Sequence, residues 1–500
     1  MKYKAIAEQI ITDIQSQKLT LGQRLPSLRK LTKQLDVSMT TALNSYRSLE
    51  QMGWVVTHPK SGFFVSTPLS QGNVPDLPQF RSSSRRISTK FKSGDYSRNY
   101  ENGEFISGPF GVSQLCPSNI PLRSLKQSIK RTTQSGDQFL HTYADPQGIH
   151  ELRRAIAEHF SGNGFPLTAD DLFISGGCMD AVRTALLVTT KPGDAVAISS
   201  PCFNGLLTLL SSMSRRVVEI PCNSDGIDLQ QLEQKLKNKE IKAALFSSSF
   251  MNPHGISLSI TQKRKLAALA NKYRVPIIED DIYSELGYDN IFPLPIKYWD
   301  TKGYVLWCSS VSKSLASGLR IGWCSAGRYL QACVDVCRTE RLGQNSLMQA
   351  SLADFINSGQ YRKHLQSIRK IMLTNVCAYR HLLLQNLPEG SAISAPNGGL
   401  VLWVQIPGLD EIKLRTVTDA VQVDISFGAQ FTTRKLYGDC FRLNIGWGLS
   451  EMHDPERTIE QALLQFTAGI CHVLGEKLVN QERQLKRADS IVTKNSPPPS

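Results

Sequence analysis

Between residues 104 and 477, short apolar runs alternate with longer amphipathic stretches. The apolar runs include 196–199, 243–246, 275–278 and 305–308, and the amphipathic stretches include 151–160 and 261–273. An apolar run of this length is typical of a buried strand, and its alternation with helices indicates parallel strands joined by crossover helices. We therefore predict an α/β fold with a mostly parallel sheet, completed by a smaller α+β subdomain around 400–404 and 441–445.

The regions that flank this pattern differ from it in composition. Residues 3–65 show the apolar spacing of three helices and a hairpin. The stretch that follows is rich in Pro, Ser, Gly and basic residues, and it holds too little apolar surface to fold alone. We therefore predict four regions: an N-terminal domain over 1–68, a basic flexible linker over 69–104, the α/β domain over 105–477, and a disordered tail over 478–500.

The charge and the cysteine pattern restrict the function classes. A net charge of +14 suggests a polyanionic partner, because Lys and Arg attract phosphates and release their counterions. The eleven cysteines include no C-x-x-C pair, so we expect neither a metal site nor a disulfide framework, and a reducing compartment fits best. Without a secretory pattern or a run of eighteen apolar residues, we expect a cytoplasmic protein that does not interact with a membrane.

A helix-turn-helix is indicated within the N-terminal domain. A helix over 28–35 is followed by the turn Asp36-Val37-Ser38 and by a second helix over 40–52, which Ser38 would cap. The apolar residues 53–56 and 63–65 can then pair as a hairpin around Pro59-Lys60-Ser61-Gly62. Such a hairpin is a wing with a lysine at its tip.

The segment GQRLPSLRKLTKQLDVSMTTALNSYRSLEQMGWVVTHPKSGFFV resembles the winged helix-turn-helix of GntR-type regulators along almost its whole length. The resemblance implies contacts to double-stranded DNA by Ser27, Arg29, Ser38, Thr40, Thr41, Tyr46, Lys60 and Gly62. Met39 stands where that family commonly has Arg, which removes one expected contact. Two of these residues have an alternative role, since Tyr46 also suits a core position beside Leu49 and Ser27 also suits a helix cap.

The motif SSVSKSLASGLRIGW places Lys313 just beyond an apolar run, with Ser310 three residues before it and Arg320 seven after. It resembles the Schiff-base segment of class I aminotransferases, in which the lysine bonds to pyridoxal 5′-phosphate and the serine and arginine bind its phosphate. That cofactor also needs a carboxylate at the ring nitrogen, donors to the phenolic oxygen, an aromatic face and amides for the phosphate. The same resemblance predicts fold type I for the α/β domain.

The remaining motifs supply these groups in a plausible order along the chain. In VPIIEDDIYSE, Asp280 and Tyr283 match the family's D-x-x-Y, which implies a carboxylate for the ring nitrogen and a phenol for the phenolic oxygen. Asn252 in NPHG matches N-P-x-G, whose amide reaches the same oxygen. The turn ISGGCMDAV resembles the phosphate-binding turn at a helix start, which implies Gly177, Cys178 and Met179 to within one residue.

Three further positions follow from the resemblance. SPCFNG places Phe203 where the family has an aromatic ring stacked on the cofactor. YADPQGIHELR places Tyr143 where the family reaches the phosphate of a neighbouring subunit, which implies a homodimer. FRLNIG aligns Arg442 with the arginine that grips a substrate carboxylate through a bidentate fork.

Each of these motifs by itself has a simpler interpretation. A lysine between serines is usually a solvated surface residue, Asp280 could cap a helix, Phe203 could be core and Arg442 could form a structural ion pair. Cys178, Cys202 and Cys308 fit buried small side chains better than reactive thiols. The ordered occurrence of the whole set favours cofactor binding.

The whole chain resembles the MocR group, in which a GntR-type winged helix is fused through a linker to an aminotransferase-type domain. The resemblance implies a homodimeric transcriptional regulator that binds pyridoxal 5′-phosphate and senses it or an amino-acid-type ligand. The basic linker could add phosphate contacts through Arg81, Arg85, Arg86, Lys90, Lys92 and Arg98, or serve only as a tether. Two alternatives remain: an active aminotransferase that also binds DNA, and a regulator whose large domain is a scaffold without cofactor.

Overall fold

The structure, a computed structural model, describes residues 2–15, 18–19, 23–51, 53–58, 62–65, 72–86, 109–136, 138–223 and 226–475. Lys60, Lys90, Lys92, Arg98 and the predicted tail lie outside the described residues. Among the residues that are described, none of the helices has the length and apolarity that crossing a membrane requires.

The N-terminal domain has the predicted winged helix-turn-helix fold. Its elements are α1 (Lys2–Gln15), α2 (Leu28–Leu35), α3 (Met39–Gln51), β1 (Val55–His58) and β2 (Gly62–Val65). Asp36 ends α2 in a left-handed conformation at φ 46°, and the Ser38 hydroxyl accepts a hydrogen bond from the Thr41 amide at 3.1 Å at the start of α3. The wing strands pair antiparallel, with Val55 opposite Val65, and both side chains are buried in the domain core.

The rest of the described chain alternates helices with strands. The helices are α4 (Leu122–Ser135), α5 (Gln138–His141), α6 (His150–Ser161), α7 (Cys178–Thr189), α8 (Asn204–Ser212), α9 (Leu229–Lys237), α10 (Ile260–Tyr273), α11 (Leu330–Arg341), α12 (Ser346–Asn357), α13 (Gln360–Asn386), α14 (Glu411–Val421) and α15 (Ile459–Leu474). The strands are β3 (Ser84–Arg86), β4 (Leu172–Ser175), β5 (Ala195–Ser200), β6 (Arg216–Asn223), β7 (Gly226–Ile227), β8 (Ala243–Phe246), β9 (Ile277–Asp280), β10 (Val305–Ser310), β11 (Gly322–Ser325), β12 (Ala392–Ile393), β13 (Val401–Gln405), β14 (Ser426–Phe427) and β15 (Cys440–Asn444).

The main sheet confirms the predicted α/β fold. Its strand order is β3-β6-β5-β8-β9-β10-β11-β4, with β7 paired to β6. The central strands β6, β5, β8, β9 and β10 run parallel, and β3 and β11 run antiparallel to them. β4 pairs antiparallel with β11 and so has the direction of the central strands, which makes the sheet mixed. Because the central strands are parallel, their carboxyl ends lie along one edge, where α/β proteins bind their ligands.

A second, antiparallel sheet forms the predicted smaller subdomain. Its strand order is β12-β13-β15-β14, and Trp403 on β13 lies opposite Arg442 on β15. Glu219 on β6 connects the two sheets, since its carboxylate accepts hydrogen bonds from the Ser200 hydroxyl at 2.6 Å, the Thr432 hydroxyl at 2.7 Å and the Thr433 amide at 2.7 Å. A buried carboxylate with several donors holds the surrounding elements in fixed positions.

Part of the segment predicted as a flexible linker lies against the α/β domain. Within residues 72–86, Ser84–Arg86 pairs with β6, and the Arg434 guanidinium lies 4.0 Å from the centre of the Phe80 ring. Gln231 holds the same segment, since it accepts from the Ser82 amide at 2.8 Å and donates to the Phe80 carbonyl at 2.9 Å. By itself the segment buries too little apolar surface to fold, and the surface of the α/β domain supplies the contacts that it lacks.

We expect Gln231→Ala to release this docked segment, because the substitution removes its hydrogen bonds to Ser82 and Phe80. With roughly 1 kcal/mol per hydrogen bond, amide hydrogen exchange within residues 79–86 should accelerate at least tenfold. Mass-spectrometric exchange measures this directly, and Gln230→Ala, at an exposed neighbouring position, is the matched control. Equal exchange in the two variants would show that Gln231 does not hold the segment.

Candidate functional site

The predicted site residues converge at the carboxyl edge of the parallel strands. Asp280 is the last residue of β9 and pairs with Cys308 on β10, and Lys313 lies in the turn that follows β10. Asn252 and Phe203 follow the neighbouring strands β8 and β5. Parallel pairing therefore brings together residues that are more than a hundred positions apart in the sequence.

Lys313 lies in a desolvated and positively charged environment. Burial, together with the charges of Arg442 and Arg320, lowers the pKa of Lys313 to about 8, although the Asp280 carboxylate acts in the opposite direction. Its ammonium donates a hydrogen bond to the Ser113 carbonyl. A lysine with a lowered pKa has a sizeable neutral fraction near neutral pH, which is what a nucleophilic amine requires.

The turn that carries Lys313 is fixed from behind by a buried polar network. The Ser314 hydroxyl lies 2.7 Å from the Tyr361 hydroxyl, and the Ser314 carbonyl lies 2.8 Å from His364 Nε2. Tyr361 in turn donates to Glu285, which His159 contacts at 2.6 Å. Because these groups are buried and mutually satisfied, they hold the backbone next to Lys313 in one conformation.

Asp280 is buried, and burial raises its pKa, although hydrogen bonds from Cys178 and the Ile282 amide oppose that effect. The Cys178 thiol donates to Asp280 Oδ1 at 3.1 Å. Burial raises the pKa of Cys178 itself well above its usual value, so that the residue stays a neutral donor. The cysteine is therefore buried beside the carboxylate, in agreement with the interpretation that it is not a reactive thiol.

Asn252 and Arg442 contact each other directly, and Arg442 and Tyr283 both contact the stretch 111–113. The Tyr283 hydroxyl lies 2.8 Å from the Ser113 hydroxyl, and Asn252 accepts a hydrogen bond from Arg442 Nη1 at 3.1 Å. Arg442 Nη2 also donates to the Ser426 hydroxyl at 2.8 Å and to the Gly111 carbonyl. The charge of Arg442 also opposes the rise in the pKa of Asp424 that burial causes, so the guanidinium has a carboxylate neighbour as well as neutral acceptors. Because it stays protonated, it suits contact with an anionic group.

A cluster of donors lies at the start of α7. Arg320 Nη2 donates to the Gly176 carbonyl at 2.7 Å, and its Nη1 lies 3.4 Å from the Ser312 hydroxyl. Gly177 precedes α7 with φ at 111°, and a Cβ there would lie 2.6 Å from Arg320 Nη2, so glycine permits the close approach. The Ser310 hydroxyl accepts from the Ser312 amide at 3.1 Å. A cation and hydroxyls at a helix N-terminus suit a phosphate group.

The other predicted site residues differ in exposure. Phe203 and Met179 are half-buried and pack against one apolar cluster, which also contains Cys178. Tyr143 is 86% exposed, and among the described contacts it does not belong to the donor group around Lys313 of its own chain. Nothing within the described residues forms a cluster of three or more His, Cys, Asp or Glu side chains suited to a metal ion.

The predicted DNA-contacting face is largely open to solvent. Ser27, Arg29, Ser38 and Thr40 are exposed, and Thr41 is half-buried. The Ser27 hydroxyl also caps α2 by accepting from the Lys30 amide at 3.3 Å, so the capping role is present. Gly62 has φ at 107°, with the Arg24 side chain beside it.

Tyr46 takes the core position that the sequence left open. Its side chain is fully buried, its hydroxyl donates to the Pro26 carbonyl at 2.8 Å, and burial raises its pKa to about 12. Its ring lies 4.8 Å from that of Phe63. Tyr46 therefore packs in the domain core and does not lie on the exposed face predicted to contact DNA.

The sequence did not point to several residues near the predicted DNA-contacting face and near the site around Lys313. Arg47 is exposed on α3 seven positions after Thr40, a helical spacing that could have revealed it. Ser312, beside Arg320, could have been found from its place between Ser310 and Lys313. Ser113 and Gly111 gave no signal, because they lie in an irregular stretch and contact the site only through tertiary structure.

Comparison with known proteins places both halves of the chain. Residues 2–65 match the family described as bacterial regulatory proteins, gntR family, and residues 110–453 match aminotransferase class I and II. The HTH-type transcriptional regulator YdcR of Escherichia coli strain K12, which is uncharacterized, is 31% identical over 456 residues that cover 91% of this chain and 97% of YdcR.

Solved structures are similar to the α/β part. The multiple substrate aminotransferase of Thermococcus profundus superposes with a TM-score of 0.68 at 24% identity, covering 77% of this chain and 96% of that one. LysN, the alpha-aminoadipate aminotransferase of Thermus thermophilus, complexed with N-(5′-phosphopyridoxyl)-L-leucine, gives 0.68 at 21% identity, covering 78% and 96%. At these identities the likeness shows the fold alone.

We expect Lys313 to react with acetic anhydride with a pH midpoint near 8, because its environment disfavours the ammonium form. Arg442→Met removes a neighbouring positive charge and should raise that midpoint. Competitive labelling followed by mass spectrometry measures it, with Arg338→Met, at an exposed cation on α11, as the control. A midpoint near that of a free lysine, at about 10.4, would refute the lowered pKa.

Proposed function

This chain belongs to the aminotransferase class I and II family and is a transcriptional regulator of the MocR type with a GntR helix-turn-helix domain, and from that premise we propose that it is a DNA-binding sensor of pyridoxal 5′-phosphate or of an amino-acid-type ligand. One observation carries the proposal. The same chain combines an exposed cationic winged helix with a buried donor set that suits this cofactor.

The side chains present fit the cofactor at each of its polar groups. Asp280 supplies a buried carboxylate for the ring nitrogen, and Tyr283 and Asn252 supply donors for the phenolic oxygen. The phosphate suits the start of α7, where Gly177 lets Arg320 approach and where Ser310 and Ser312 offer hydroxyls. A Cβ on Gly322 would lie 2.5 Å from the Gly177 carbonyl carbon, so this turn is packed too closely for another residue.

Each residue has a definite task toward the bound cofactor. The pyridine ring, when bound, withdraws electrons from a covalently attached amine. Asp280 would hold a proton at the ring nitrogen, since an ionised carboxylate stabilises the positive charge there. Lys313 provides the amine, and its lowered pKa favours the neutral nucleophile.

Arg442 indicates the class of effector. It is buried, held by Asn252 and Ser426, and charged at every physiological pH, so it suits a ligand carboxylate. An amino acid would place its carboxylate at Arg442 and its amine toward Lys313. A ligand of this kind regulates only if it binds two conformations with different affinity.

Tyr143 supports a homodimer as the acting form. It is 86% exposed, unlike most aromatic side chains of the described residues, and lies in an irregular stretch between α5 and α6. An exposed tyrosine of this kind is available to a second copy of the chain. Two winged helices on one duplex would bind more tightly than one through their combined effective concentration.

A second function, transamination, is favoured by one observation. Lys313 has a pKa near 8, so its amine could also move a proton at physiological pH once it is not bonded to the cofactor. Incubation of the loaded protein with L-amino acids and a 2-oxo acid, followed by product analysis, tests this activity. Sustained turnover would favour an enzyme, and a single stoichiometric event would favour a sensor.

We expect Lys313→Ala to abolish covalent attachment of pyridoxal 5′-phosphate, because no other amine is shown within the donor group around Asp280 and Tyr283 in the described residues. Borohydride reduction and peptide mapping of the loaded protein detect the attachment. Lys302→Ala, at an exposed lysine, should leave the adduct unchanged. An adduct that persists in Lys313→Ala at the same stoichiometry would refute the assignment.

We expect Arg29→Ala and Arg47→Ala each to weaken DNA binding about tenfold, because each removes a charge-assisted phosphate or base contact. A duplex selected from random sequence by the wild-type chain serves as the probe in fluorescence anisotropy. For a phosphate contact, the slope of log K against log salt should become less steep by about 0.9. Lys18→Ala is the control, since Lys18 pairs with Asp13 at 3.6 Å. Unchanged affinity in both arginine variants would contradict the assigned face.

A further inference from the structure

Residues 109–116, which we call the entry segment, lie across the site between the two sheets. Asn444 on β15 holds both of its ends, since its side-chain amide donates to the Pro109 carbonyl at 2.9 Å and to the Gln114 carbonyl at 3.0 Å. Asp424 accepts from the Phe110 amide at 3.1 Å and from the Gly111 amide at 2.8 Å. The second sheet therefore carries this segment.

Ser113 is where the entry segment reaches the main sheet. Its carbonyl accepts a hydrogen bond from the Lys313 ammonium, and its hydroxyl lies 2.8 Å from the Tyr283 hydroxyl. Both partners follow strands of the main sheet, Lys313 after β10 and Tyr283 after β9. The entry segment is thus attached to one sheet by several bonds and to the other through a single residue's polar groups, as far as the described contacts show.

The hydrogen bond to the Ser113 carbonyl depends on the chemical state of Lys313. When the neutral amine adds to an aldehyde, its nitrogen forms a carbon–nitrogen double bond, and the aldehyde oxygen leaves as water with both amine hydrogens. The bonded nitrogen then carries no hydrogen, or one if it takes up a proton, whereas a free ammonium carries three. The Ser113 carbonyl therefore faces an ammonium with three donor hydrogens only while Lys313 is free, whereas the bonded nitrogen offers at most one hydrogen.

We propose that the hydrogen bond to the Ser113 carbonyl depends on whether Lys313 is free or covalently bonded. The entry segment is then held more tightly with the amine form of the vitamin B6 phosphate than with the aldehyde form. The proposal rests on the proposed function, because it requires the cofactor to bind beside Lys313. It assigns to the protein a discrimination between two ligands that share ring and phosphate and differ at one carbon.

The charge environment supports this discrimination. The pKa of Lys313, lowered by burial to about 8, leaves both the neutral amine and the ammonium populated near neutral pH. The amine can therefore bond to an aldehyde, and the ammonium can bind the Ser113 carbonyl, without a large cost for either. A hydrogen bond from a charged donor to a buried carbonyl is stronger than one between neutral groups.

The place of the entry segment in the sequence connects the cofactor site to the DNA-binding domain along the chain. It is the first described stretch of the α/β part after the docked residues 72–86, which follow the winged helix. A change in how firmly residues 109–116 are held acts on the stretch of chain that joins the two domains. A ligand that binds more tightly when the entry segment is firmly held, or when it is loosely held, then shifts the regulator toward that state.

The test compares pyridoxal 5′-phosphate with pyridoxamine 5′-phosphate on the full-length protein. The first bonds to Lys313, and the second leaves that lysine free. Amide hydrogen exchange of a peptide covering 109–116 should be about tenfold faster with the aldehyde than with the amine, because loss of one charged hydrogen bond favours local opening. A peptide covering 195–200 on β5 should exchange equally with both.

Two variants separate the contribution of the Ser113 carbonyl from that of the Ser113 hydroxyl. Lys313→Met lacks the ammonium, so exchange in the entry segment should be fast and equal with both ligands. Ser113→Ala removes the contact with the Tyr283 hydroxyl but keeps the carbonyl, so the difference between the ligands should persist. Equal exchange in the wild-type chain, when absorbance and ultrafiltration show that both ligands are bound, would overturn this inference alone. Failure of both ligands to bind would overturn the proposed function with it.

Discussion

The parallel pairing of β9 with β10 is the constraint on which the site depends. It sets Asp280 opposite Cys308 and so fixes the distance between the carboxylate and the turn that carries Lys313. Both strands are buried on both faces, which makes a shift in their register costly. The antiparallel strand β11 extends this arrangement, because Gly322 lies opposite Ser310 on β10 and opposite Ser175 on β4. The start of α7, directly after β4, thereby reaches the same place.

The second sheet completes what the main sheet cannot supply. Arg442 comes from β15, and its hydrogen bond to Asn252 connects the two sheets at the site itself. Glu219 connects them at a second point through Ser200 and the Thr432-Thr433 turn. The entry segment bridges them at Ser113, where the bond partner is a group whose chemistry changes with the ligand. Of these three connections, only the last depends on the covalent state of a side chain.

The winged helix and the α/β part are joined by a chain that is not free along its whole length. Within residues 72–86, Ser84–Arg86 forms the edge strand of the main sheet, and the side chains of Gln231, Gln405 and Arg434 hydrogen-bond to the same stretch. Docking of this stretch restricts how far the DNA-binding face can move, because the reach of a tether depends on its unbound length. Arg85 and Arg86 remain exposed on it, so the docked part still presents cations to solvent. The docking therefore constrains the tether without removing the charge that could meet phosphate.

The sequence by itself determined the two folds and their order, because apolar periodicity, the capping Ser38 and the glycine and proline positions act over a few residues. It also indicated Lys313, Asp280, Tyr283 and Asn252 as site residues, since each stands in a short motif at the end of a buried strand or within a few residues of it. Some strand limits shifted, as at 275–278, where the structure has Ile277–Asp280. The missing amide hydrogen of Pro276 is consistent with this later start.

Only the tertiary structure decided which neutral groups contact these side chains. Ser113 and Gly111 carry no local pattern, and their contacts with Tyr283 and Arg442 join residues that are distant in sequence. Ser312 stands within a local motif, but its contact with Arg320 forms only across a turn. It also decided that Tyr46 is core rather than surface, and that residues 72–86 are docked rather than free. The physical reason is the same in each case: burial and hydrogen-bond partners depend on the surface that another part of the chain presents, and that surface exists only once the chain has folded.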